Sequence, residues 1–182
     1  MKVKVATAAG VCFGVERALN LSEKALGEVQ GPISSLGPLI HNPQTVELLS
    51  ERGLNVADEL GQVKGTVVFR SHGVTVDTQN KAKEQGLGII DATCPLVKVP
   101  QNFARKLSDA GYFVVIVGDT HHPEILGVKS YVANGEFAVI KNADEVASLP
   151  PKDKVGVICQ TTLKRSVFDD VVEKCKARFK EV

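Results

Sequence analysis

The sequence predicts an α/β fold made of two similar units with mainly parallel sheets. Short apolar runs alternate with segments of helical periodicity along the whole chain, which is typical of parallel sheets covered by helices. The chain also shows a weak internal repeat, in which three groups of residues recur in order at offsets of 81 to 89 positions. These two observations divide the chain into predicted units at residues 1–90 and 91–182.

The internal repeat consists of three correspondences. Cys12 and Cys94 lie 82 residues apart, and each follows an apolar run and precedes a helical pattern. The segment GPLIHNP at 37–43 is echoed by GDTHHP at 118–123, and the segment at 67–72 is echoed by the segment at 155–161. Ligands of parallel α/β folds collect at the carboxyl ends of strands, so the polar residues that follow these apolar runs are the candidate site.

The individual elements follow from the hydrophobic pattern. An apolar run at 3–8 predicts a buried first strand, and helical periodicity then runs from Val15 to Val29. Further apolar runs predict strands at 32–36, 67–70, 89–91, 113–117, 137–140 and 155–159, of which 113–117 should be the most deeply buried. The intervening patterns predict helices at 43–52, 76–85, 95–110, 124–132, 143–149 and 167–179.

Composition and charge are those of an ordinary globular protein. The 182 residues are 43% hydrophobic and 24% charged, with a formal net charge of +1. This balance argues against a nucleic-acid-binding surface. No apolar run approaches the roughly 18 to 20 residues of a membrane helix, and the N-terminus lacks the apolar core of a signal peptide. The sequence therefore predicts a cytoplasmic protein whose cysteines are reduced or bound to metal.

Cys12 and Cys94 are candidate metal-binding or redox thiols. Cys12 lies between two glycines at a predicted helix start, and Pro95 suits a first helical position, which makes Cys94 an N-cap. The N–H groups and the positive dipole end of a helix N-terminus favour a thiolate. The alternative for Cys12 is a small apolar core residue, since free cysteine is often buried, and the alternative for Cys94 is a plain helix cap. Cys159, within a predicted strand, and Cys175, on an apolar helix stripe, are expected in the core.

Polar residues in the predicted strand-end loops suggest a shared cleft. His41, His72 and His122 occupy comparable loop positions near glycine or proline. Their rings, with Ser71 and Asn42, could donate hydrogen bonds to a phosphate or diphosphate, although a single such histidine is more often structural.

Glu124 and Thr161 complete the candidate residues. Glu124 begins a predicted helix, where a carboxylate is favoured by the helix dipole. Beside a metal and an anion it could instead relay a proton. Thr161 follows the strand at 155–159, and its hydroxyl could hold a substrate oxygen or cap the last helix.

Six motifs together resemble those of the 4-hydroxy-3-methylbut-2-enyl diphosphate reductase family. They are GVCFGVERA at 10–18, IHN at 40–42, RSHGV at 70–74, DATCP at 91–95, HPE at 122–124 and QTTL at 160–163. The resemblance extends in order along the whole chain. It implies a trefoil of three similar α/β units around an iron–sulfur cluster, with one cysteine ligand from each unit.

The resemblance also implies a role for each candidate residue. Cys12 and Cys94 match two of the cluster ligands. The family's diphosphate-binding histidines correspond to His41, His72 and His122. Glu124 matches the acid that passes protons to the substrate, and Thr161 matches the threonine near the substrate hydroxyl.

The reaction implied is a reductive dehydroxylation, the last step of the non-mevalonate isoprenoid pathway. Two electrons and two protons convert the allylic alcohol diphosphate to isopentenyl and dimethylallyl diphosphates, with release of water. A [4Fe-4S] cluster with one iron open to the substrate hydroxyl would supply the chemistry. Ferredoxin or flavodoxin would supply the electrons.

The third unit of the family has no counterpart in this sequence, and neither Cys159 nor Cys175 matches its cysteine. The resemblance therefore implies a truncated form, the N-terminal two of three units, which is expected to hold cluster and diphosphate weakly by itself. The alternative from a different class is a non-catalytic two-unit α/β module that binds an anion or a metal.

Overall fold

The computed structural model describes residues 2–7 and 9–182, which form two parallel β-sheets with helices packed against them. In this described part, no helix has the length and apolar character needed to cross a bilayer. Two 3₁₀ helices, Leu60–Gln62 and Ala143–Ser148, lie between the main elements. The main elements, in chain order, are α1 (Phe13–Glu28), β1 (Ile33–Leu36), α2 (Pro43–Glu51), β2 (Leu54–Ala57), β3 (Thr66–Phe69), α3 (Val76–Glu84), β4 (Gly88–Asp91), α4 (Pro95–Asp109), β5 (Phe113–Val117), α5 (Pro123–Lys129), β6 (Phe137–Ile140), β7 (Val155–Cys159) and α6 (Arg165–Arg178).

Each sheet takes its strands from one half of the sequence. The first sheet has the order β2-β1-β3-β4, and the second has the order β6-β5-β7. Every strand pair in both sheets is parallel. The second sheet therefore repeats the arrangement of the first three strands of the first sheet. This architecture confirms the predicted α/β fold with mainly parallel sheets.

Strand β5 is the centre of the second sheet and is covered by helices on both faces. Its residues from Val114 to Val117 have no exposed surface. Val115 and Val117 pack with Val171 of α6, while Ile116 faces the opposite side and packs with Ile125 of α5. Burial on both faces explains why this strand is a continuous apolar run rather than an alternating one. The prediction that 113–117 is deeply buried is confirmed.

The predicted first strand is wrong for residues 3–7, and Ala8 lies outside the described residues. The chain from 3 to 7 forms no strand, and the side chains of Val3 and Val5 are 75% and 81% exposed. The pattern itself is suited to a strand, but a strand is stabilised by cross-strand pairing. Among the described residues no neighbouring strand pairs with this segment.

Strand β2 was not predicted from the sequence. It lies at the edge of the first sheet, with Leu54 and Ala57 buried and the two residues between them exposed. This four-residue pattern lacks both the alternation and the apolar run by which strands are recognised. The remaining predicted strands and helices are present, although the helix predicted at 143–149 is the 3₁₀ helix Ala143–Ser148 and α1 begins at Phe13 rather than at Val15.

Several residues of the candidate site lie at the N-terminal ends of helices. Asn42 caps α2, because its Oδ1 accepts the backbone N–H of Thr45 at 2.9 Å. Cys12 and Cys94 occupy the N-cap positions of α1 and α4, and His122 occupies that of α5. Candidate site residues therefore lie at the starts of helices that follow the carboxyl ends of strands.

Candidate functional site

Three histidine rings from separate strand-end loops form a compact cluster. The ring centroids of His41 and His72 are 4.5 Å apart, those of His72 and His122 are 5.5 Å apart, and those of His41 and His122 are 6.3 Å apart. His72 follows β3 of the first sheet and His122 follows β5 of the second. The cluster therefore lies where the carboxyl ends of the two sheets meet, and the structure brings together the histidines that the repeat had placed in comparable loops.

The electrostatic environment of the three histidines favours the binding of an anion. Burial, followed by the charges of His41, His122 and Arg70, lowers the pKa of His72 from the ordinary 6.5 to about 4. His72 is therefore neutral at pH 7 when the cleft holds only water. A bound anion would oppose each of these charge effects, because it favours the protonated imidazole.

A hydrogen bond fixes the tautomer of His122. Its Nδ1 accepts the backbone N–H of Glu124 at 3.1 Å. The neutral ring must therefore carry its proton on Nε2, since the hydrogen bond at one ring nitrogen decides which nitrogen is protonated. His122 thus presents an N–H donor, not a lone pair, at its second nitrogen.

The same tautomer distinguishes an anion site from a metal site. One nitrogen from each of the three rings lies within 4.8 Å of the others, so by distance alone the rings could hold a metal ion. Metal binding would also need a free lone pair from His122, whose Nδ1 is already an acceptor. The arrangement favours hydrogen bonding to an anion.

Glu124 is a buried carboxylate held by a residue of another loop. Its side chain is 1% exposed. Its Oε1 accepts the backbone N–H of Thr161 at 2.7 Å, and its Oε2 accepts the Thr161 hydroxyl at 2.8 Å. The carboxylate therefore does not simply complement the dipole of α5. It joins the start of α5 to the loop after β7. Glu124 is two residues along the chain from His122 of the histidine cluster.

Cys12 and Cys94 are free thiols whose sulfurs make no capping hydrogen bond. Cys12 is exposed and Cys94 is half-buried. Gly14 shows how closely the two helix starts approach, because a Cβ added there would lie 2.4 Å from Cys94 Sγ. The first turn of α1 therefore packs directly on Cys94, which brings the two cysteine-bearing turns together.

Arg17 was not singled out in the sequence, yet it links these two turns. Its Nη1 donates to the carbonyl of Thr93 at 3.2 Å and its Nη2 to that of Asp91 at 3.4 Å. The carboxylate of Asp91 in turn accepts the Thr93 N–H at 3.0 Å and pairs with Lys98 at 2.5 Å. A single arginine four residues after a helix start gives no sequence signal of such a link.

Other polar candidates have structural roles. The Ser71 hydroxyl is buried and donates to the Leu39 carbonyl at 3.2 Å, which corrects its expected use as an anion donor. Asn42 uses its Oδ1 to cap α2. Cys175 is fully buried in the core, as predicted, and Cys159 is half-buried within β7 against the same core cluster.

Alanine at position 73 is expected to disturb the loop of His72. Gly73 has a φ of 76°, and an added Cβ would lie 2.9 Å from Gln101 Nε2 and 3.1 Å from Thr93 Cγ2. The positive φ should cost about 1–3 kcal/mol, and the steric overlap about 1–3 kcal/mol more. Urea unfolding measures the total loss of stability.

Gly111→Ala is the matched control for this substitution. Gly111 has a φ of 78°, but no heavy atom lies within 4 Å of an added Cβ. This variant should therefore lose only the stability that the positive φ costs an alanine, without a steric contribution. Equal losses for Gly73→Ala and Gly111→Ala would contradict the close packing described around Gly73.

Comparison with known proteins identifies the family. The model of the family described as LytB protein matches residues 3–182. The 4-hydroxy-3-methylbut-2-enyl diphosphate reductase of Geobacter metallireducens is 43% identical over all of this chain, which covers 64% of that relative. The enzyme of the same name from Anaeromyxobacter sp. is 44% identical, again with 100% of this chain and 64% of the relative covered.

Solved structures agree with the sequence comparisons. A structure of (E)-4-hydroxy-3-methyl-but-2-enyl diphosphate reductase, the terminal enzyme of the non-mevalonate pathway, matches with a TM-score of 0.88 and 38% identity, over 99% of this chain and 65% of that one. The reductase from Plasmodium falciparum matches with a TM-score of 0.87 and 25% identity, over 97% and 57%. The chain spans about 64% of the length of the curated relatives it matches. It belongs to the LytB protein family.

Proposed function

We propose that this chain forms the diphosphate-binding cleft, and supplies two cysteine ligands, of a 4-hydroxy-3-methylbut-2-enyl diphosphate reductase. The relatives bear that name. The observation that carries the proposal is the cluster of His41, His72 and His122, three rings within 6.3 Å of one another at the ends of parallel strands. A diphosphate offers several negatively charged acceptor oxygens, which suits convergent ring N–H donors.

The cysteines are suited to an iron–sulfur cluster. Both Cys12 and Cys94 occupy helix N-caps with sulfurs free of capping hydrogen bonds, which leaves the sulfurs available as ligands. The cluster, when bound, would supply electrons and a Lewis acid to the substrate's C–O bond. Two thiols are fewer than a cluster requires, and we assign the third to the additional unit of the longer relatives. The electrons would come from ferredoxin or flavodoxin.

Glu124 is the proposed proton donor to the substrate. Its carboxylate is buried and oriented by two hydrogen bonds from Thr161. A proton held at either Oε atom could pass to the Thr161 hydroxyl or directly to a substrate in the cleft. Thr161 would then lie between the acid and the substrate hydroxyl.

The additional unit of the relatives would cover an apolar groove beside β7. Leu96, Val99 and Phe103 of α4 are 63%, 49% and 50% exposed along this groove. Strand β7 is one of the two edge strands of its sheet, and Glu181 already forms a parallel bridge with Lys154 at its start. We therefore propose units at 1–90 and 91–182, with a third unit packed on this groove in the complete enzyme.

Anaerobic reconstitution with iron and sulfide tests the assignment of the cysteines. We expect weak loading of this chain, measured by visible absorption and bound iron, because only two ligands are present. Cys12→Ser and Cys94→Ser should each abolish it, and Cys159→Ser and Cys175→Ser should leave it unchanged. Adding the C-terminal third of the Geobacter metallireducens relative as a separate polypeptide should raise the loading.

Two results would contradict the assignment. Loading that depends on Cys159 or Cys175, but not on Cys12 and Cys94, would place the metal elsewhere. A colourless protein that binds zinc through the histidine cluster would favour the non-catalytic module.

A further inference from the structure

Arg70 carries a positive charge for which the fold provides no partner. Within residues 2–7 and 9–182 its side chain makes neither a hydrogen bond nor an ion pair, and its buried Nε is unsatisfied. Burial lowers the pKa of the guanidinium group below its ordinary value. Removing a cation from water without a counter-ion is unfavourable, so such groups are normally paired. Arg70 is half-buried, so an anion from outside the described residues would be a favourable partner for it.

The guanidinium group borders a cavity of about 220 Å³ that is separate from the histidine cluster. Thr75 and Thr78 at the start of α3 form another wall, and Pro123 and Gly127 of α5 close the far side. The cavity thus lies between elements of the first and second sheets. It adjoins the backbone that carries His72 and His122, because Gly73 and Pro123 are in its lining.

The walls provide hydrogen-bond donors. The hydroxyls of Thr75 and Thr78 are 2.8 Å apart, so one of their two protons bonds the pair and the other remains free. Gly37 keeps the guanidinium position open, because a Cβ there would lie 2.8 Å from Arg70 Nη1. Asp58 also lines the cavity, but it is exposed and makes no ion pair with Arg70 among the described contacts.

We propose that this cavity binds a small phosphate-type oxyanion, held by the Arg70 guanidinium group and the threonine hydroxyls. A tetrahedral oxyanion has acceptor oxygens for both walls, whereas a planar carboxylate would use its two oxygens on the arginine fork alone. The bound anion would also neutralise a charge that acts on His72. Binding at this site would therefore raise the pKa of His72 in the histidine cluster. It goes beyond the proposed reductase function and does not depend on it.

Inorganic phosphate is the probe, and Arg70→Met is the main variant. Calorimetry and thermal denaturation by circular dichroism should show phosphate binding to the unaltered chain. In Arg70→Met the affinity should fall at least about tenfold, as expected for a lost charge-assisted hydrogen bond. Without phosphate, Arg70→Met should melt no lower than the unaltered chain, because the charge removed is half-buried and has no partner among the described residues.

Two further variants separate this site from its alternatives. Asp58→Asn should tighten phosphate binding, because it removes the only carboxylate among the described residues that line the cavity. His122→Ala, which removes the ring N–H donor of the histidine cluster, should leave binding in this cavity intact. Phosphate binding that survives Arg70→Met and is lost in His122→Ala would overturn the proposal. So would acetate binding as tightly as phosphate, or a lower melting temperature of Arg70→Met without phosphate.

Discussion

Gly14→Ala is expected to abolish cluster loading while leaving the protein folded. The new Cβ would lie 2.4 Å from Cys94 Sγ and 3.1 Å from Cys94 Cβ, so the thiol must move or α1 must shift. Overpacking costs about 1–3 kcal/mol, and alanine regains up to about 1 kcal/mol as the better helix former. The net loss of stability is small, but the displaced sulfur can no longer serve as a ligand. Iron–sulfide loading, with the alkylation rate of Cys94, measures the change.

Gly27→Ala is the control on the same helix. No heavy atom lies within 4 Å of a Cβ added at Gly27, which is near the other end of α1. This substitution should stabilise the chain by about 0.5–1 kcal/mol and leave loading unchanged. Equal loading in the two variants would show that contact between α1 and Cys94 does not place the ligand.

Glu124→Gln is expected to leave the cleft folded but to slow the reaction strongly. Glutamine can keep both contacts to Thr161, because its Oε1 can accept the backbone N–H and its amide can donate to the hydroxyl. Stability should therefore change by no more than about 1 kcal/mol. An amide cannot transfer the proton, so turnover should fall about 10²–10⁴-fold. Turnover is measured on the chain complemented with the C-terminal third of the relative.

Two variants complete the test of Glu124. Glu124→Ala removes the carboxylate that accepts both Thr161 hydrogen bonds, and because Thr161 is exposed to water each lost hydrogen bond should cost about 1 kcal/mol. Glu136→Gln, at a carboxylate that is 50% exposed, should affect neither stability nor turnover. Glu124→Gln with undiminished turnover would remove Glu124 as the proton donor.

Patterns of burial were predictable from the sequence where both faces of an element are covered. The apolar run of β5 predicted its own burial because helices cover it on both sides. Pro95 predicted the start of α4, and with it the N-cap position of Cys94, from local backbone chemistry. The same reasoning wrongly predicted a strand for residues 3–7, because this segment has no strand partner in the described structure.

Contacts between distant segments were not predictable in this way. The sequence placed Glu124 at a helix start, but not its two hydrogen bonds to Thr161, 37 residues away. Nothing in the local pattern of Gly14 or Arg17 shows that each meets the Cys94 turn. Likewise, no local pattern around Arg70 shows that it lacks an ion-pair partner among the residues the structure describes. Such features arise from tertiary packing, which periodicity does not encode.

Protonation of His72 should make both the stability of the chain and its affinity for an anion depend on pH. Its pKa in the folded chain is about 4, below the ordinary 6.5, so the unfolded chain takes up this proton first. Stability should therefore fall as the pH drops from 6.5 towards 4. A bound anion that raises this pKa should bind more tightly as the pH falls through the same range.

The most direct test of the central claim, that the histidine cluster is a diphosphate site, is an NMR titration of His72 with and without inorganic diphosphate. The structure predicts a pKa of about 4 without the ligand and a clearly higher pKa with it. His122→Ala should weaken this response, because it removes the N–H donor at Nε2. An unchanged pKa of His72 at saturating diphosphate would contradict the claim.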